Sequence, residues 1–176
     1  MNSMIISDMS ELVPLIDRVC KGIGYRYDDA VRMLILGTAA TESMLRIRVQ
    51  LGGGPARGLW QVEHRTARSI YEDYLKYRPD VWTRFSRTVG APGKYILPPK
   101  AEIESRCEKD DAYCCALARL KYAWDKKIIP DKLPDIAVYY KLVYNTVLGK
   151  GSAGKFLRDW NTCKCQELLE EAGPIA

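Results

Sequence analysis

The sequence predicts a mainly α-helical domain with at most a small β element. Apolar residues recur three and four positions apart in several stretches, which is the spacing of one face of an α-helix. Glycine, proline and aspartate separate these stretches, and the strand–helix alternation of a parallel sheet is not visible. The 176 residues are enough for one domain with a sizeable core. We therefore predict a single domain over residues 1–176.

Periodicity and turn residues define the predicted helices of the first half. Glycines 22 and 24 end a first helix over residues 4–21. Asp28 and Asp29 supply the N-cap and first-turn acid of a second helix. Three glycines before a proline make residues 51–58 an irregular loop, beside which short strands fit within 48–60. Two further helices are predicted over residues 66–77 and 80–89.

The second half continues in the same way after a proline-containing loop over residues 90–99. A helix is predicted over residues 110–126, and Asp135 opens the next one. Glycines 149 and 151 break that helix, after which Ser152 caps a last helix. The tail over residues 172–176 is expected to fray.

Composition excludes several classes of protein. Apolar residues make up 47% and charged residues 28%, which excludes a disordered, collagen-like or low-complexity chain. No apolar run approaches the roughly 18–20 residues of a membrane span, so we expect no stable membrane insertion. The N-terminal stretch lacks the basic region of a secretory signal. The net charge of +5 favours polyanionic partners, although solubility alone explains it equally well.

Six cysteines and one histidine bear on metal and disulfide chemistry. The cysteines do not have zinc-ligand spacing, and the lone His64 is expected to be a surface group at a helix start. Without a secretory signal we expect buried free thiols rather than disulfides. We also expect no metal and no cofactor. The cysteines are Cys20, Cys107, Cys114, Cys115, Cys163 and Cys165.

Glu42 is the most informative residue for chemistry. It continues the apolar stripe of the second helix and lies near the end of that helix, just before the glycine loop. Loss of water at the edge of the core raises the pKa of a carboxyl toward the range of a general acid. The alternative is an ion pair with Arg46 or Arg48. The stripe consists of Val31, Leu34, Ile35 and Thr38.

Two more motifs follow Glu42 along the chain. Ala40-Thr-Glu42-Ser43 is followed by Gly58-Leu-Trp-Gln61-Val-Glu63 and then by Thr66-Ala67. This combination resembles the lysozyme-like superfamily, in particular the lytic transglycosylases and goose-type lysozymes. Those families carry Glu-Ser at the end of a core helix, then Gly-Leu-Met-Gln, then Thr-Ala at the next helix start. Trp60 stands where methionine is usual.

A third family motif, Ala-Tyr-Asn followed by glycine, has an imperfect counterpart within residues 135–151. Tyr139-Tyr140 and Tyr144-Asn145 compete for it. Around Gln61 the sequence is most similar to lysozyme-like proteins of bacteriophages. The motif-bearing regions are residues 31–67 and 136–160, whereas the middle of the chain is supported only by its helical character.

The resemblance implies a lysozyme-like helical domain that cleaves the β-1,4 bond between N-acetylmuramic acid and N-acetylglucosamine in peptidoglycan. Glu42 would be the catalytic acid. A lytic transglycosylase needs one acid and forms 1,6-anhydro products, which is the reaction we favour. A hydrolytic lysozyme needs a second carboxylate, for which Glu63 is the candidate. The alternative for Glu63 is a first-turn acid that stabilises the next helix.

The resemblance also implies a set of substrate-binding residues. Gln61 would bind the N-acetyl group of a sugar, and Trp60 is the tryptophan expected to touch substrate. For the tyrosines and the asparagine, core packing and helix capping are the alternatives. The other tryptophans, Trp82, Trp124 and Trp160, are expected in the core. The set is Ser43, Gly58, Trp60, Gln61, Tyr140, Tyr144 and Asn145.

The expected partners are peptidoglycan glycan strands and, for a phage protein, other virion proteins. Such a protein is made in the host cytoplasm and acts on the wall from the periplasm, as an endolysin or packaged in a virion. An alternative is a virion structural or ejected protein with weak or lost cleavage. A nucleic-acid-binding module has only the charge in its favour, so no nucleic-acid partner is expected.

Overall fold

The computed structural model describes residues 5–145 and 151–175, and helix dominates them. This confirms the predicted mainly α class. The predicted first helix over residues 4–21 begins too early, because a 3-10 turn over Met9–Glu11 precedes an α-helix that begins only at Leu12. Met4 itself and the predicted break at Gly149 lie outside the described residues. The α-helices are α1 (Leu12–Ile23), α2 (Asp29–Ser43), α3 (His64–Ser69), α4 (Pro79–Val89), α5 (Lys100–Lys109), α6 (Asp111–Trp124), α7 (Leu133–Tyr140), α8 (Ala153–Thr162) and α9 (Cys165–Ala172).

Two helices continue into wider π-helical turns. The turn after α3 covers Ile70–Tyr74 and ends in a 3-10 turn, Leu75–Tyr77. The turn after α7 covers Lys141–Asn145. Short 3-10 turns also occur at Met9–Glu11 and Leu51–Gly53. The single predicted helix over 66–77 is thus a helix that changes its winding midway.

The strands within the described residues form one short hairpin. β1 (Ala56–Arg57) pairs antiparallel with β2 (Val62–Glu63), and Val49 makes an isolated bridge to Arg57. The hairpin follows the glycine loop and leads directly into α3. The motif Gly58-Leu-Trp-Gln61-Val-Glu63 therefore lies in this hairpin, between the glycine loop and α3.

Three helix ends have the capping residue that the sequence predicts, whereas Asp135 lies in the first turn of α7 and Lys132 is its N-cap. Gly24 ends α1 with a φ of 78°, a left-handed conformation that glycine adopts without strain. The Asp28 side chain accepts a hydrogen bond from the Val31 N–H at 3.1 Å and begins α2. Ser152 accepts from the Lys155 N–H at 3.0 Å and begins α8.

α2 lies at the centre of the molecule and is buried on nearly all sides. Its neighbours are α1, α6, α7, α8 and α9. The closest approach is to α8, where a Cβ added at Gly37 would lie 2.1 Å from Cζ of Phe156. Because the helix is fixed by packing all round, the orientation of its last turn is fixed as well.

A buried arginine on α2 connects distant parts of the chain. Arg32 forms two hydrogen bonds with the Asp17 carboxylate of α1, at 2.6 and 2.8 Å. Its Nη1 donates to the Gly173 carbonyl at 2.7 Å. This contact anchors the start of the tail, at a residue that the sequence predicts to be frayed. No helix in the described ranges is both long and apolar enough to cross a membrane.

The six cysteines are free thiols. Five are buried and Cys163 is partly exposed, as the prediction of buried free thiols largely anticipates. Among the described residues, no group of three or more histidine, cysteine or acidic side chains is arranged to hold a metal ion.

Candidate active site

A cavity of about 710 Å³ opens beside the last turn of α2. Its walls come from α2, the hairpin and its preceding loop, the start of α3, α6, the π turn after α7, and α8. Side chains far apart in sequence therefore meet at one place. Of the predicted site residues, the cavity brings together Glu42, Gln61, Glu63, Tyr140, Tyr144 and Asn145.

Glu42 lies in the last turn of α2, with its carboxyl largely buried in the cavity wall. The Tyr140 hydroxyl donates a hydrogen bond to its Oε1 at 2.5 Å. Burial raises the pKa of Glu42, while that hydrogen bond and the charges of Lys121 and Lys155 offset part of the rise. The raised pKa agrees with the expectation from sequence.

The predicted alternative for Glu42, an ion pair with Arg46 or Arg48, is wrong, because neither arginine pairs with Glu42 among the described residues. Arg48 instead forms a bidentate pair with Asp111, which is fully buried at the start of α6. The second oxygen of Asp111 also accepts the Ile6 N–H at 2.8 Å. The guanidinium of Arg48 is therefore paired with Asp111, and the Glu42 carboxyl faces the cavity.

The π turn after α7 arranges the tyrosines and the asparagine. In a π turn, residues five apart lie above one another, which aligns Asn145 with Tyr140. The Asn145 Nδ2 donates to the Tyr140 hydroxyl at 3.4 Å, and its Oδ1 accepts the Gly151 N–H at 2.9 Å. A chain of hydrogen bonds therefore runs from the backbone at Gly151 through Asn145 and Tyr140 to Glu42.

Of the tyrosines that fit the third motif, Tyr140 is the one that bonds the Glu42 carboxyl. Tyr140 contacts the Glu42 carboxyl, whereas the Tyr144 hydroxyl donates to the Trp60 carbonyl at 2.7 Å. Tyr144 also stacks on Tyr122, with ring centroids 5.2 Å apart. Tyr139 points elsewhere, toward the Lys127 carbonyl. Tyr144 therefore combines core packing with a place in the cavity wall.

Two lysines that the sequence analysis did not single out also line the cavity. Burial lowers the pKa of Lys121, and the nearby Glu42 and Glu63 raise it in part. Its Nζ donates to the Tyr144 carbonyl at 2.6 Å. The Lys155 Nζ donates to the Thr41 carbonyl. Lys121 lies four residues after buried Leu117 and so continues the apolar stripe of α6. A charged residue at such a position is the sequence signal that could have identified it as a site residue.

Gln61 and Glu63 face the cavity from the hairpin. Gln61 has a left-handed backbone with φ 46°, and its Nε2 donates to the Ile47 and Gly58 carbonyls at 3.1 and 2.8 Å. These bonds leave Oε1 as the acceptor for a ligand. Glu63 is exposed at the N-cap of α3 but makes no side-chain cap hydrogen bond there. Its charge still lies beside the positive end of the helix dipole, so its position fits both the cavity role and the helix-start role expected from the sequence.

Three predicted substrate-binding residues belong to the interior instead. Trp60 is fully buried, and its Nε1 donates to the Ile35 carbonyl at 2.9 Å. Ser43 is buried, and its hydroxyl bonds the Ala39 carbonyl at 2.9 Å. At Gly58 a Cβ would lie 2.1 Å from the Cys107 carbonyl. The Gly58 N–H donates to the Arg48 carbonyl at 2.8 Å, and its carbonyl accepts from the Gln61 N–H at 3.0 Å. The prediction that these three residues touch substrate is wrong, because their polar groups are bonded within the protein.

Of the three tryptophans predicted to lie in the core, two are buried and one is exposed. Trp82 and Trp160 are buried as expected. Trp124 is 39% exposed, so its assignment to the core is wrong. The reason is its position as the last residue of α6, where the helix leaves the core. His64 is partly exposed, with Nδ1 3.5 Å from a Glu104 oxygen.

No family model, curated protein or solved structure matches this chain.

Proposed function

We propose that the protein is a glycosidase that cleaves the β-1,4 bond between N-acetylmuramic acid and N-acetylglucosamine in peptidoglycan. One observation carries the proposal: a carboxyl with a raised pKa, Glu42, bonds Tyr140 in a cavity where Gln61 and Asn145 also converge. The sugar substrate follows from the likeness of the motifs around Glu42 and Gln61 to those of lysozyme-like enzymes. The same likeness supports a phage endolysin or virion-associated enzyme.

Glu42 serves first as the acid. Its raised pKa keeps a larger fraction protonated near neutral pH, so it donates a proton to the glycosidic oxygen as the bond from C1 breaks. Tyr140 occupies Oε1, which leaves Oε2 to carry the proton toward the substrate. After transfer, the Tyr140 hydrogen bond stabilises the carboxylate that forms.

The second step that we favour is internal. The Glu42 carboxylate takes the proton of the C6 hydroxyl of the muramic acid ring, and O6 attacks C1 to close a 1,6-anhydro ring. No water is consumed and no second carboxylate is needed. The Gln61 Oε1 accepts the N–H of the sugar's acetamido group and holds the ring in place, since its Nε2 is already engaged.

Hydrolysis is the second candidate, because Glu63 lines the same cavity and its carboxylate makes no cap hydrogen bond at α3. In that reaction the Glu63 carboxylate activates a water that attacks C1. Glu63→Gln separates the two reactions. A hydrolase loses about a hundredfold or more in rate, whereas a transglycosylase stays within a few-fold.

The decisive experiment is mass spectrometry of fragments released from purified peptidoglycan. Glu42→Gln should lower the rate by at least about a hundredfold with the fold intact, because the proton donor is lost. Glu170→Gln, an exposed change on α9, is the matched control and should cleave like the unaltered chain. Products one water lighter than hydrolysis products identify the transglycosylase, and reducing-end products identify the hydrolase. Near-full activity of Glu42→Gln would refute the assignment.

A further inference from the structure

A second cavity of about 540 Å³ opens next to the first. The two share Thr66 at the start of α3 and Lys121 on α6. It runs between the exposed side of α3 and the end of α6, with Val143 of the π turn on its third side. Because they share two lining residues, the two cavities are adjacent. We call this second cavity the Trp124 groove.

Trp124 is the aromatic surface of this groove. Its ring packs against Tyr74, with centroids 5.9 Å apart and planes at 42°. Tyr74 is itself held by a hydrogen bond to the Tyr25 hydroxyl and by Arg78 over its ring. The indole is therefore supported from behind while 39% of the residue stays open to solvent. An exposed, immobilised aromatic ring is typical of a binding surface.

The polar groups beside Trp124 are unoccupied. Arg65, Thr66 and Ser69 lie along one side of α3 and its continuation and line the groove. Within the described ranges, none of these three side chains forms a hydrogen bond or ion pair. By contrast, Asp125 at the same end of α6 is bound by the Lys127 N–H and ammonium. The groove thus offers one apolar face and three unengaged polar side chains.

We propose that the Trp124 groove binds further N-acetylated sugars of the same glycan strand that enters the Glu42 cavity. This inference rests on the proposed function. A pyranose ring has an apolar face of C–H groups, which packs on an indole, and a rim of hydroxyl and acetamido groups. Arg65, Thr66 and Ser69 match that rim as hydrogen-bond donors and acceptors. The groove extends the contact with substrate beyond the bond that is cut.

The test is calorimetric binding of soluble N-acetylglucosamine oligosaccharides of two and six sugars to the Glu42→Gln protein, which binds without turnover. The longer oligosaccharide should bind more tightly. Trp124→Ala in that background should weaken its binding about tenfold, which is about 1.4 kcal/mol, and leave the shorter one unchanged. Tyr77→Ala, which removes an exposed aromatic residue outside the groove, is the control and should change neither.

Ser69→Arg is a second variant, which fills the groove while leaving the Trp124–Tyr74 contact in place. It should reproduce the loss for the longer oligosaccharide even if Trp124→Ala is poorly folded. Equal binding by the parent and Ser69→Arg, or no binding by the parent, overturns the inference. Cleavage of peptidoglycan by the Glu42 protein is measured separately. Cleavage without groove-dependent binding refutes the groove alone, and groove-dependent binding without cleavage refutes the proposed enzyme alone.

Discussion

Glu42 is held where its charge is unfavourable. Burial favours the protonated carboxyl, while Tyr140 and two lysines favour the ionised form. Since burial is the largest of these effects, the ionised residue costs the folded state free energy at neutral pH. For the proposed acid, this cost in stability is the trade between stability and activity that many enzymes show.

The stability of Glu42→Gln should therefore depend on pH. Because the pKa of Glu42 is raised by folding, the contribution of the protonated carboxyl to stability is fully present below the ordinary pKa of 4.5 and is lost as the pH rises through the folded pKa. Glu42→Gln should therefore have a larger free energy of unfolding than the unaltered protein at pH 7, whereas the two proteins should be equally stable near pH 3. Denaturant titration at both values measures this. Glu170→Gln should show no such pH dependence, and an equal gain at both values for Glu42→Gln would contradict the argument.

Tyr140→Phe should raise the pKa of Glu42 further, because it removes a hydrogen bond to the ionised carboxyl. The activity should fall about tenfold, and the alkaline limb of its pH profile should move to higher pH. Tyr139→Phe is the control, since that hydroxyl bonds the Lys127 carbonyl outside the cavity. An unmoved alkaline limb in Tyr140→Phe would show that the tyrosine does not act on Glu42.

Glu42 can be identified from the sequence because the 3.6-residue period of the helix places it at the end of an apolar stripe. It fails at Trp60 and Trp124 because the burial of an aromatic ring depends on partners outside its own segment. Trp60 is drawn inside by the Ile35 carbonyl, 25 positions earlier. Trp124 keeps the apolar period of α6 but lies past the point where other helices cover it.

Among the elements, α2 was predictable from its cap and period, and α5 was not. α5 buries only Ile103 and Cys107, so eight polar or small residues hide its single apolar edge. The π turn after α7 escapes prediction for another reason. Its sequence fits an ordinary helix, and the wider turn occurs where Tyr140 bonds the Glu42 carboxyl and Tyr144 bonds the Trp60 carbonyl, partners from distant parts of the chain.

The contact between α2 and α8 gives a prediction at the level of whole helices. Gly37→Ala places a methyl group against the Phe156 ring, which should destabilise the fold by about 1–3 kcal/mol despite the better helix propensity of alanine. Gly154→Ala on α8 has only ordinary contacts, the nearest at 3.6 Å, and should stabilise by about 0.5–1 kcal/mol. Thermal unfolding of both variants compares them, and equal effects would exclude close α2–α8 packing.

For the molecule as a whole, the six thiols report on the integrity of the core. Only Cys163 is partly exposed, and burial raises the pKa of its thiol. Native protein treated with iodoacetamide should gain one adduct, at Cys163 and slowly, whereas unfolded protein should gain six. Peptide mass spectrometry locates the adducts. A fast second adduct under native conditions would show that the core opens locally.

The contacts that hold α2 come from late parts of the chain, which has a consequence for folding during translation. The helix that carries Glu42 leaves the ribosome early, yet Tyr140, Lys155 and Gly173, which hold it in place, are translated more than 90 residues later. A nascent chain that lacks them exposes an apolar helix and has no ordered carboxyl. The surroundings of Glu42 are therefore incomplete until these late residues have been made, and a chain that ends before Tyr140 should lack the proposed activity.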